Sequence, residues 1–142
     1  MTNNWFARTG KAWICLVATL ILTQGCARQA QWNGVYQTDL AGGARTCVAP
    51  TASPSDGQTV VVPMQVSNEG GWCGISATRN GAPFDSYVMV NRPAHGRVFA
   101  HRVGSNTRID YFPDAGFTGT DSFAVRMIPG NAVIQGALTV SK

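Results

Sequence analysis

Glutamate occurs once in this 142-residue chain, at Glu69, and lysine only at Lys11 and Lys142. Without those residues a long solvent-facing helix has neither its best polar helix formers nor its i,i+4 ion pairs. Surface polarity must come from hydroxyls, amides and arginine, a balance that favours strands and turns. No block of consecutive basic residues occurs, which removes the electrostatic footprint of a nucleic-acid binder. The signatures GxSxG, HExxH and SxxK are missing, as are CxxC and HxxxH pairs, and the chain has two histidines, His95 and His101. A single glutamate also leaves little to build the paired carboxylates of glycoside hydrolysis. The expectation is a protein with no catalytic residues, no metal and no cofactor.

An apolar run long enough to span a bilayer is lacking too. The segment "AWICLVATLIL", 12–22, has eleven residues, and a helix of that length at ~1.5 Å per residue falls well short of a hydrocarbon core of about 30 Å. Preceded by Arg8 and Lys11, it reads as the apolar region of an export signal. It stops at "TQGCA", where Gly25 and Cys26 match the lipobox of bacterial lipoproteins; Thr23 stands where that pattern has leucine. The resemblance implies acylation of Cys26 and, with Ala27 after it, sorting to the outer membrane, periplasmic or surface-facing. Ordinary cleavage after Ala27 is the other reading. Each buried CH₂ of an acyl chain contributes roughly 0.8 kcal/mol of anchoring. The organisation expected is a signal peptide over 1–25, a lipid anchor and flexible tether over 26–46, and one domain over 47–142. With Arg8 and Lys11 assigned to the leader, the formal charge of +4 falls to +2, nine basic against seven acidic residues.

Cys15 lies in the leader and Cys26 at its end, which leaves Cys47 and Cys73. In an exported small β-domain two such cysteines pair most simply as a disulfide, worth roughly 3 to 4 kcal/mol in the chain-entropy model. Alternation begins at Thr59: in "TVVVPMQV" Val60, Val62, Met64 and Val66 share one face, and Pro63 places the strand at an edge or bulge. "WCGISATR" follows with Cys73, Ile75 and Ala77 inward. "SYVMV", "GRVFAHRV", "TRIDYF", "TDSFAVRM" and "AVIQGALTV" complete a series of short strands separated by turn residues. This predicts an all-β sandwich. Residues 28–44 have no periodicity and read as the tether, with Trp32 and Tyr36 docked on the domain or on a partner.

Residues 92–127 resemble bacterial immunoglobulin-like and cadherin-like domains of surface and adhesion proteins. Pro93, His95 and Gly96, then Tyr111 and Pro113, then Gly116, Phe117, Gly119, Asp121 and Phe123 stand at the positions of a Pro-x-His-Gly, Tyr-x-Pro, Gly-Phe-x-Gly-x-Asp-x-Phe pattern. The resemblance implies an immunoglobulin-like Greek-key sandwich of about seven strands. Physically the motif is a corner: Tyr111 and Phe123 point inward, Phe117 plugs the end of the core, and Asp121 accepts hydrogen bonds from the loop's own amides. Asp110, Asp114 and Asp121 are close in sequence but follow no calcium-loop spacing.

If Val98 and Ala100 face the core, Arg97, Phe99 and His101 face out, and on the returning strand Arg108, Asp110 and Phe112 do the same. Exposed aromatic and arginine side chains are what binding hot spots contain. The alternative is that this face is covered by the tether or by a second sheet. The function expected is a non-catalytic cell-envelope lipoprotein whose domain serves as an interaction or scaffold module, its partners other envelope proteins. The alternative is a carbohydrate- or peptidoglycan-binding module, or an adhesin-like surface domain, held by cell-wall or surface glycan.

Overall fold

The computed structural model describes residues 34–142. The segment expected to be an export leader, Cys26 and Trp32 lie outside the described residues. A one-turn helix, α1 (Gln37–Leu40), precedes eight strands: β1 (Cys47–Val48), β2 (Thr59–Ser67), β3 (Cys73–Ala77), β4 (Ser86–Asn91), β5 (Gly96–Val103), β6 (Asn106–Pro113), β7 (Gly119–Ile128) and β8 (Val133–Ser141). Every strand segment expected from the alternation is present. β1 is the addition, too short to carry a period of its own.

The strands form two sheets, ordered β1-β2-β8-β7-β4 and β3-β6-β5. β2 runs parallel to β8 from Thr59↔Val133 to Ser67↔Ser141, and the other pairs are antiparallel. This order, with the first long strand beside the last, is an immunoglobulin-like Greek key. Between the sheets lie Met64, Val66, Ile75, Ile109, Tyr111, Phe123, Val125, Met127 and Ile134, each at most 1% exposed. Alternation places them there: in β2, Val62, Met64 and Val66 are buried while Val61, Pro63 and Gln65 are exposed. Pro63 has no amide hydrogen to donate. It sits on the stretch of β2 that β1 does not reach, since β1 pairs only with Gln65 and Val66.

Cys47 and Cys73 form a disulfide with a Cα–Cα separation of 5.2 Å. It joins β1, on the edge of one sheet, to β3, on the edge of the other, and so staples the sandwich along one side. β3 is lined further by chain segments: Gly43 bridges to Trp72 and Ala52 to Ala77. No helix among the described residues is long and apolar enough to cross a membrane.

Candidate functional site

Two constellations arise from the β5–β6 hairpin, one at its base and one on its outer face. The base is the corner that joins the two halves of the glycine-rich motif. Asp121 accepts hydrogen bonds from the amides of Ala94 and His95, both at 2.9 Å, and of Ser122 at 2.8 Å. The Tyr111 hydroxyl lies 3.0 Å from Asp121 and 3.0 Å from the His95 carbonyl. Two of the amides belong to the turn before β5, 26 and 27 residues upstream. Asp121, at the start of β7, therefore clamps that distant turn in addition to accepting from its neighbour Ser122, where only local amides were expected.

Burial alone would raise the Asp121 carboxyl. The amides of Ala94, His95 and Ser122 and the Tyr111 hydroxyl outweigh it and hold the group below the usual carboxylate range. Burial, followed by the hydrogen bond to Asp121 and its charge, raises the Tyr111 phenol. Tyr111 and Phe123 are both inward and stack at 6.3 Å, and Phe117 packs against the core with its ring on His95 at 4.2 Å. Asn68 donates to the carbonyls of Asp114 and Phe117, which pins the loop to the β2–β3 turn. A Cβ at Gly96 would run into the Tyr111 ring and the Phe112 carbonyl, so the turn admits no side chain there.

The outer face of β5 and β6 is the candidate binding face. Cross-strand register sets Arg97 opposite Phe112, Phe99 opposite Asp110 and His101 opposite Arg108. The Arg97 guanidinium lies over the Phe112 ring at 4.5 Å, and Phe99, 52% exposed, meets His101 edge-on at 5.1 Å. Arg97 and Phe99 are exposed and Phe112 is half-buried. This part of the expected strip is assembled as read.

Arg108 departs from that reading. It is 7% exposed and Asp110 2%, although both stand on the outward side of β6. Arg108 binds both Asp110 oxygens, at 2.7 and 2.9 Å, lies 3.7 Å over the Trp72 ring, and donates to the Asp39 carbonyl. The cover comes from residues 34–44. This strap accepts at Gly34 from the Gly104 amide, at Ala41 from the Trp72 indole and at Gly42 from the Trp72 amide; its Ala44 amide donates back to the Trp72 carbonyl. From residue 34 onward, the segment read as a free tether is laid across the three-stranded sheet. It is attached by main-chain groups, while Val35, Tyr36 and Leu40 are 51%, 67% and 60% exposed. Tyr36 is thus not docked on the domain, one of the two placements expected for it.

His101 is half-buried beside Asp110 and Phe99. Its Nε2 lies 3.5 Å from Asp110 Oδ2 and makes no hydrogen bond. Glu69 holds the β1 approach by accepting from the Arg45 amide and the Ser67 hydroxyl. Among the described residues, no three of His, Cys, Asp and Glu converge as a metal site would require. Asp110, Asp114 and Asp121 are divided between the outer face and the corner.

Sequence reading missed Trp72 and Gly74. A Cβ at Gly74 would collide with Asp110 and the Arg108 stem, and one at Gly71 with the Ala44 backbone. A glycine inside a strand pattern, as in "WCGIS", is the available signal for such a close approach. A concavity of about 340 Å³ opens between the edges of β4 and β5, lined by Phe84, Asp85, Tyr87, His101, Arg102 and Thr107 among others.

Fold and face together define a small immunoglobulin-like sandwich with a strapped outer sheet. Comparison with known proteins adds no family to this: no family model matches the chain, and no curated protein does.

Proposed function

We propose that this chain is an exported, lipid-anchored, non-catalytic module of the cell envelope that binds another envelope protein through the outer face of β5 and β6. It is read as a relative of the bacterial immunoglobulin-like and cadherin-like domains, anchored through Cys26 to the outer membrane. The observation that carries the binding role is the row of Arg97 stacked on Phe112 beside the exposed Phe99, set on a rigid base by the buried Arg108–Asp110 pair. Rigid aromatic and arginine groups lose little entropy on binding and dominate contact energy. Arg97 occupies one face of the Phe112 ring, which favours a flat protein contact over the open aromatic platform on which a sugar ring stacks. Both histidines serve the architecture, His95 against Phe117 and His101 beside Asp110 and Phe99.

The test replaces Phe99 and Phe112 by serine in the lipidated chain and compares capture of partners from envelope extracts with retention on purified peptidoglycan. Loss of capture with peptidoglycan retention unchanged is the expected result. Loss of retention alone supports the glycan-binding alternative, and loss of neither removes this face from the account. Cys26→Ser is expected to abolish acyl labelling and release the protein from the membrane fraction.

A further inference from the structure

The five-stranded sheet ends on β4, whose ladder partner is β7. An open strand edge is a template for pairing, and proteins blunt such edges with charge, proline or a covering segment. The other edges here are blunted. β2 carries Pro63 on its open stretch, Gly43 and Ala52 bridge to the ends of β3, and β5 carries Arg97 and Arg102. β4, "SYVMVN", has no charge and no proline, and its Val88 and Val90 are 48% and 50% exposed. The concavity lined by Asp85, Ser86 and Tyr87 runs beside its first half, so that side is open among the described residues.

Charges stand instead at the two ends, Asp85 before the strand and Arg92 after it, both exposed. Their spacing matters because β4 contains a bulge. Val88 is opposite Arg126, Met89 opposite Val125 and Asn91 opposite Ala124, so Val90 is the extra residue. With Val90 set aside, Ser86, Val88 and Asn91 share one face, and Asp85, Tyr87, Met89 and Arg92 share the other. Two antiparallel strands related by a twofold axis perpendicular to their sheet pair residues of the same face. With the axis at Val88, three residues back is Asp85; four forward, one of them the bulged residue, is Arg92. Asp85 of each copy then faces Arg92 of the other.

The geometry points to a second copy of this chain as the occupant of the β4 edge, paired antiparallel about Val88 into one sheet continuous across two molecules. A one-residue slip turns apolar side chains to the wrong face, and a two-residue slip separates the charges, so the end charges select the register. The contact lies on the sheet opposite Phe99 and Phe112 and is independent of the proposed binding role.

The experiment places Val88→Cys in the full-length chain, expressed in bacteria and treated with a mild oxidant. Directly opposed residues in an antiparallel pair have Cα atoms about 4.5 to 5.5 Å apart, within disulfide reach. The expected result is a homodimer band on a non-reducing gel, absent from Val61→Cys, which stands 61% exposed on the β2 edge. Adding Asp85→Arg or Arg92→Asp to Val88→Cys is expected to remove the band, and adding both to restore it. Continued closure of the Cys47–Cys73 disulfide verifies folding in each variant. Yield no higher than from Val61→Cys, capture solely of a different protein, or a band indifferent to the charge changes would each overturn the proposal.

Discussion

Asp121 illustrates how much one short acidic side chain can hold. It joins the end of one motif half to the start of the other, accepting three amides while standing beside the Tyr111 phenol, which it shares with the His95 carbonyl. Hydrogen bonds to a charged acceptor contribute about 1.5 to 3 kcal/mol when buried, and partial solvation of this site puts Asp121→Ala at about 1 to 3 kcal/mol of lost stability. The pH dependence has a definite sign. A carboxyl held below its ordinary range stabilises the fold above a pH of about 4, and that stability is lost as pH falls through the folded-state value. Asp121→Asn is therefore expected to lower the urea midpoint at neutral pH, with the gap from the natural chain narrowing toward pH 3. A gap of equal size at both pH values would assign the effect to shape and not to charge. The motif residues were legible because glycine, proline and aromatics at fixed offsets announce a corner. The partners of Asp121 were not, since an aspartate at a turn usually serves its own loop and nothing local indicates amides 26 and 27 residues away.

Elements here are secured at their edges more than by their own length. β1 has two residues, yet it carries Cys47 and the disulfide to β3. Closing a loop of 26 residues removes unfolded-state entropy worth about 3 to 4 kcal/mol. Replacing both cysteines by alanine is expected to lower the unfolding free energy from urea titration by that amount, and a much smaller loss would mean that the covalent link merely records a contact made by packing. The strap is the second such device. Arg108 reaches it through the Asp39 carbonyl and backs the ring of Trp72, which makes three more of its bonds, so Arg108→Ala should loosen residues 34–44 while leaving the sheets paired. Hydrogen exchange is the measurement: faster exchange at the Ala44 and Gly104 amides with β6–β3 amides still protected is expected. Unchanged exchange at both would show that the Trp72 and Gly104 bonds hold the strap without Arg108. Because Asp110 would be left without its guanidinium in a nearly closed site, a stability loss of about 3 to 5 kcal/mol accompanies this change.

For the whole molecule, two surfaces on opposite sheets are expected to act separately. Phe99→Ser with Phe112→Ser should abolish partner capture and leave the Val88→Cys crosslink intact, and Asp85→Arg should do the reverse. Loss of both activities in either variant would reveal a single shared interface. An immunoglobulin-like sandwich suits this division, since its outer faces are free to differ once alternation has supplied the core.

Alternating apolar residues, two cysteines spaced for a staple, and turn residues between short runs were enough to determine an all-β sandwich and to say which side chains of β2, β3 and β6 point inward. That much is local: in a strand the facing of a side chain follows from a period of two, whatever the strand pairs with. The partners of each strand, the parallel β2–β8 pair among them, were decided by tertiary structure. So was the fate of the outward row on β6. Arg108 and Asp110 satisfy the same alternation as an exposed pair would, and only a strap arriving from 34–44, with Gly71 making room for it and Gly74 for the pair itself, turns that side of β6 into interior. Periodicity assigns a residue to a face, and what lies over the face depends on chain distant in sequence.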